Sequence, residues 1–158
     1  MELDLLTHAS AIVAVLGTGV VYGTDVFCAM VMRPALMRID DDALVMVMGH
    51  VHSCGDRRMP LPGVLGIVAA AVSAAAAVAS AHWVAAISAG AAVVALLIWL
   101  LLYIRVSAPL NRQLTAAAEA GETLPNGRAL QAKWDSVINA RAVLQGMAVT
   151  ALCIAMIV

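Results

Sequence analysis

Residues Gly17 to Pro34 read GTGVVYGTDVFCAMVMRP, and this stretch decides the fold. It is the second half of an apolar segment that begins near Leu5 and is long enough to cross a bilayer. Yet Tyr22 and Asp25 stand well before the first basic residue, Arg33. An ionisable side chain within a spanning helix is costly, so it faces a bundle interior or a wet cavity and needs a partner. The rest of the chain is read as the helices that enclose this face and supply that partner.

Composition supports a membrane protein. Of 158 residues, 63% are hydrophobic and 12% charged, about half the charged fraction of a soluble domain. The apolar residues fall in long runs, as spans do and an oversized core does not. One domain, 1–158, is expected. The net charge is -1 and there is no basic surface, so nucleic acid is not an expected partner. The three cysteines (Cys28, Cys54, Cys153) form no C-x-x-C, which argues against a membrane thiol oxidoreductase. Glu2 and Asp4 stand where a signal peptide would be basic.

The spacing predicts an all-α bundle of four transmembrane helices. The first runs roughly from Leu6 to Met32, with Pro34 ending or kinking it. Thr18, Tyr22 and Asp25, at i, i+4, i+7, share one of its faces. Asp40 to Cys54 is too short and polar to span. It reads as an amphipathic surface helix with Leu44, Val45, Met48 and His52 on one face, broken by Gly55 to Pro62. The second span, Pro62 to Ala81, carries small residues at Gly66, Ala70 and Ser73 that permit close packing. His82 and Trp83 make a turn. The third span is Val84 to Ile104, with Trp99 and Tyr103 at its interfacial end. Arg105 to Lys133 reads as a polar connection holding a short helix near Leu114 to Glu119. The fourth span starts near Trp134.

All nine Lys and Arg residues lie in or beside the 1–2 and 3–4 connections. The positive-inside rule puts those connections in the cytoplasm and both termini outside, in a bacterial inner membrane or a plasma membrane. Depth then links two charges. Asp25 lies eight residues before Arg33, and Arg141 eight residues after Lys133. At 1.5 Å per residue each is roughly 12 Å from its flanking charge. Their helices run in opposite directions, so the two meet at one level, as a structural ion pair or as part of a site. His50 and His52 are candidate metal ligands, with Met46, Met48 and Met59 nearby; copper, zinc or iron would suit such donors. At i, i+2 they share a face only if the segment is extended. Otherwise the Met residues fill apolar gaps and the His residues sit at headgroup level.

Pro109, Asn111 and Leu114 form P-x-N-x-x-L, and Trp134, Asn139 and Arg141 form W-x4-N-x-R. With a glycine-containing first helix and a Pro34 exit, the chain resembles the anthrone oxygenase-like family of small four-helix membrane proteins, along nearly its whole length. The resemblance implies a monooxygenase acting on a lipophilic aromatic or polyketide substrate, without an organic cofactor; a metal- or haem-binding protein and a non-enzymatic membrane subunit or carrier are the alternatives. On this reading Asp25, Tyr22 and Arg141 are catalytic. Asn111, Trp134 and Asn139 bind substrate, unless they serve as caps and interfacial anchors. The partners are the bilayer, a lipophilic small molecule and, in an oligomer, further copies of the chain.

Overall fold

The protein is described over residues 2–158 by a computed structural model. Five helices account for nearly all of this range: α1 Glu2–Leu36, α2 Asp41–Arg58, α3 Pro60–Ala79, α4 Trp83–Ala120 and α5 Gly127–Ile157. All but α2 are long and apolar enough to span a membrane, and the chain is an integral membrane four-helix bundle. α1 packs on α3 and α5, and α4 completes the ring against the same two. Large apolar side chains cover the outer faces, including Leu16, Val68, Ile87, Leu101 and Met147. In water such a band would be a liability; in lipid it is the solvent-matched surface.

The bundle core is built from small residues. Ala14, Ala70, Ala92 and Ala148 are fully buried around Leu96 and Leu152. The contact between α1 and α3 is the closest. A Cβ on Gly17 would stand 2.8 Å from the Pro62 carbonyl oxygen and 3.0 Å from the Gly66 nitrogen. Thr18 in turn lies over Gly66. Glycine is needed on both sides for the backbones to meet.

Several expected boundaries are corrected. α1 and α4 do not stop at their prolines. Each widens into a π-helical turn just before one, Cys28–Met32 before Pro34 and Tyr103–Ser107 before Pro109. The Arg33 amide bonds back to the Cys28 carbonyl, and the Ala108 amide to that of Tyr103. A proline ring collides with the carbonyl four residues back; the wider turn moves that carbonyl aside and the helix continues. The expected polar connection from Arg105 to Lys133 is therefore mostly helix. α4 runs on to Ala120, where Gly121 takes the left-handed conformation (φ 66°) that caps it. α5 begins at Gly127 rather than Trp134, and α2 continues through Gly55 to Arg58. The turn after α3 is Ser80–His82, and Trp83 already belongs to α4.

These extensions overhang one end of the bundle. α4 has 38 residues, roughly 57 Å at 1.5 Å per residue, against about 30 Å of hydrocarbon. α2 lies against the overhang of α4. Its expected apolar face forms: Leu44, Val45 and Met48 are buried against Leu36, Leu114 and Ala117. Asp40 caps α2 by accepting from the Ala43 amide at 2.8 Å. Thr115 donates to the Gly49 carbonyl at 3.2 Å, and Arg128 on α5 bonds to Asp41 and to the Ile39 carbonyl. The result is a polar-surfaced layer seated on the bundle, and the site lies where the two join.

Candidate functional site

Asp25 on α1 is buried, and four donors converge on it. Arg141 approaches it bidentately, Nη2 to Oδ1 at 2.7 Å and Nε to Oδ2 at 3.1 Å. Gln145 Nε2 donates to Oδ2 at 2.6 Å and Trp99 Nε1 at 3.3 Å. Arg141 also donates from Nη1 to the Ser107 hydroxyl at 2.8 Å. Its guanidinium carbon lies 5.4 Å from the ring centroid of Trp134, 5.7 Å from Tyr103 and 6.0 Å from Trp99. Two buried opposite charges are thus paired, hydrogen-bonded and enclosed by aromatic rings, the conditions under which burial of an ion pair is tolerable. The expectation that Asp25 and Arg141 meet at one depth matches this geometry.

Beside this cluster lies a cavity of about 200 Å³. All five helices contribute to it, with Asp25 and Cys28 from α1, His52 and Asp56 from α2, Gly63 from α3, Tyr103 and Asn111 from α4, and Trp134 and Arg141 from α5. Most of the wall is apolar. Val51 on α2 and Pro60 and Val64 on α3 line it and are also exposed, so they mark its mouth. Val64 is 59% exposed on an outward face of a spanning helix. The mouth therefore opens at the edge of the bundle, beside the start of α3.

Two polar groups on the wall are tied to each other through Asp56. Tyr103 and Asn111 both donate to Asp56 Oδ1, each at 2.8 Å. Three others have no partner among the described residues: His52 Nε2, Asn111 Oδ1 and Trp134 Nε1. Their residues are 5%, 4% and 6% exposed. Buried polar atoms are nearly always satisfied, by protein, water or ligand. Burial holds the His52 imidazole pKa down to about 4 against the opposing pull of Asp56 and of the neighbouring Gln131 side chain, so the ring is neutral at pH 7. It rests 5.2 Å from the Trp134 ring.

The structure thus brings together Asp25, Arg141, Asn111, Trp134 and His52. It sets the other sequence candidates apart. Tyr22 lies over Gly146 on α5 and does not line the cavity. Asn139 is exposed. His50 is exposed while His52 is buried, because α2 is helical and an i, i+2 pair points to different faces. Among the described residues no group of three His, Cys, Asp or Glu side chains could hold a metal ion. His50 and His52 therefore do not form a chelating pair.

Trp99, Tyr103, Ser107, Asp56 and Gln145 escaped the sequence reading of function. Trp99 and Tyr103 read as interfacial anchors, and Ser107 as part of a connection. Their i, i+4, i+8 spacing is the face of one uninterrupted helix, visible only once Pro109 is allowed inside it. Asp56 follows His52 by four residues on α2, a spacing hidden by the break expected at Gly55.

Compared with known proteins, the chain matches no family model, no curated protein and no solved structure.

Proposed function

We propose that the protein is a membrane-embedded oxidoreductase that takes a neutral, lipophilic aromatic molecule from the bilayer into this cavity and oxidises it with molecular oxygen, in the manner of an anthrone oxygenase-like monooxygenase. The observation that carries the reading is the trio of unpartnered buried polar atoms, His52 Nε2, Asn111 Oδ1 and Trp134 Nε1, on one wall of an otherwise apolar cavity. An apolar pocket with a few convergent polar groups is the usual form of a small-molecule site. The trio offers the Trp134 N–H as a donor and the Asn111 oxygen as an acceptor, which suits a carbonyl or hydroxyl on the ligand edge. Arg141, the only cation on the wall among the described residues, is already committed to Asp25 and Ser107. An apolar cavity of about 150 Å³ accepts benzene, so this one has room for one ring of a fused aromatic whose remainder projects through the mouth.

We take His52 rather than Asp25 as the base; burial keeps its imidazole neutral but a weak base, so it passes the proton on rather than holding it. Asp25 already accepts four hydrogen bonds, whereas the His52 ring is neutral with a free Nε2. Loss of a proton from the methylene carbon of an anthrone leaves a carbanion stabilised by the carbonyl across the ring. A donor such as Trp134 Nε1 would hold the developing oxyanion. Oxygen takes electrons from that carbanion and bonds to the same carbon as a hydroperoxide, which loses water to leave the second carbonyl. One anthrone and one O₂ give one anthraquinone and one H₂O; every electron comes from the substrate and no reductant is needed.

The charge distribution supports an orientation with α2 and the α4 overhang in the cytoplasm and the C-terminus outside. The test is oxygen uptake by the purified protein with an anthrone and no added cofactor. The expected result is anthraquinone formed mole for mole with oxygen, slowed by at least about a hundredfold in His52→Phe. A rate equal to spontaneous oxidation in the same detergent, with the anthrone still bound, would replace the enzyme by a carrier of such molecules.

A further inference from the structure

A second depression, of about 350 Å³, lies on the outer side of α2, between it and the α4 overhang. Its lining is polar and charged: Ser53, Arg57, Arg112, Thr115 and Glu119, together with Asp56. Asp56 is therefore the residue that lines both the lipid-facing cavity and this water-facing pit. Its two oxygens are used unequally. Oδ1 accepts from both Tyr103 and Asn111, while Oδ2 carries no protein hydrogen bond among the described residues and the residue is only half-buried.

We propose that Asp56 is the proton exit of the site, joined to the cavity by the Tyr103 hydroxyl and to water by the pit. Tyr103 lines the cavity and gives its hydroxyl hydrogen to Asp56. When a proton reaches that oxygen, the hydroxyl hydrogen already there moves to Asp56 Oδ1, and Asp56 releases it to water in the pit. One proton enters, one leaves, and both side chains end as they began. The proton that leaves the substrate as the carbanion forms is matched by one returned to the peroxide, so the route carries protons both ways and the overall reaction releases none. The surroundings suit the role. His52 stands four residues before Asp56 on α2, Arg57 in the pit pairs with Glu119 at 3.5 Å while Arg112 also lines it, and Arg141 faces Tyr103 from α5.

This inference rests on the cavity being the ligand site, and the experiment separates the two. The probe is 2-naphthol, a lipophilic aromatic alcohol that becomes a strong acid when excited and emits at different wavelengths as the neutral and ionised forms. It is bound to the full-length protein in lipid nanodiscs and excited beyond the tryptophan band. The wild type should show emission from bound naphtholate. Asp56→Asn keeps an Oδ1 that accepts from Tyr103 and Asn111 but cannot carry a proton. It should bind the probe as well as the wild type and lower the ionised-to-neutral emission ratio by at least about tenfold. Tyr103→Phe, which removes the link instead of the acceptor, should do the same, and Glu119→Gln should not. Bound probe with equal ionised emission in Asp56→Asn and wild type overturns the exit while leaving the site standing. A probe that does not bind the wild type removes both.

Discussion

Asp25, which stands out in the sequence as an intramembrane charge, is met in the fold by partners on every side. Its charge is matched by Arg141, and its remaining lone pairs are taken by Gln145 and Trp99. Removing one member of a buried pair costs about 3–5 kcal/mol, because the other charge is left alone. Asp25→Asn and Arg141→Met should each destabilise by that order in detergent melting. The double variant should recover much of the loss, though not all, since Trp99 Nε1 and Ser107 would lose their partners. Additive losses would mean that the two do not interact. His52 makes a different prediction, with its sign fixed by burial. Its folded pKa is about 4, against about 6.5 in an unfolded chain. Above pH 6.5 neither state holds the proton and stability is full. As pH falls to 4 only the unfolded state takes it up, so about 3 kcal/mol is lost. The stability difference between wild type and His52→Phe should therefore shift against the wild type between pH 6.5 and 4; a constant difference would show His52 to be solvated. The Asp25–Arg141 meeting was legible from depth alone, because flanking charges fix the level of both residues. The roles of Tyr103 and Asp56 were not, because each depends on a helix continuing through residues that commonly end one.

At the scale of the element, two prolines misled and two glycines did not. Pro34 and Pro109 sit inside helices because π-helical turns accommodate their rings, and no local pattern separates such a proline from a terminating one. The second turn also carries function, since it contains Tyr103 and Ser107. Small residues in the α1–α3 pair were readable as a packing seam. They predict opposite outcomes for two glycine substitutions. Gly17→Leu drives a side chain into the backbone at Pro62 and Gly66 and should destabilise by about 1–3 kcal/mol. Gly90→Ala meets nothing within 4 Å and, in a helix interior, should stabilise by about 0.5–1 kcal/mol. Melting of both in one detergent checks the pair; equal effects would place the α1–α3 contact elsewhere.

For the whole molecule, spans and order were legible because a bilayer demands long apolar helices. In the layer on one end, α2 and its apolar face were legible, but the extensions of α4 and α5 were not, since they mix apolar and charged residues as a connection does. Orientation is tested by the native cysteines. Cys54 is exposed on α2, so in a Cys153→Ser background a membrane-impermeant thiol reagent should label inside-out vesicles and spare intact cells. Labelling of intact cells would reverse the orientation. The central claim is that a lipophilic aromatic sits in the cavity rather than merely dissolving in the surrounding lipid. Calorimetric titration of an anthrone without oxygen, into protein held in nanodiscs, tests it most directly. The account predicts one site per chain, weakened about tenfold by Trp134→Phe through the lost hydrogen bond and abolished by Gly63→Leu, which fills the cavity beside Trp99. Equal heat from wild type and Gly63→Leu would contradict it.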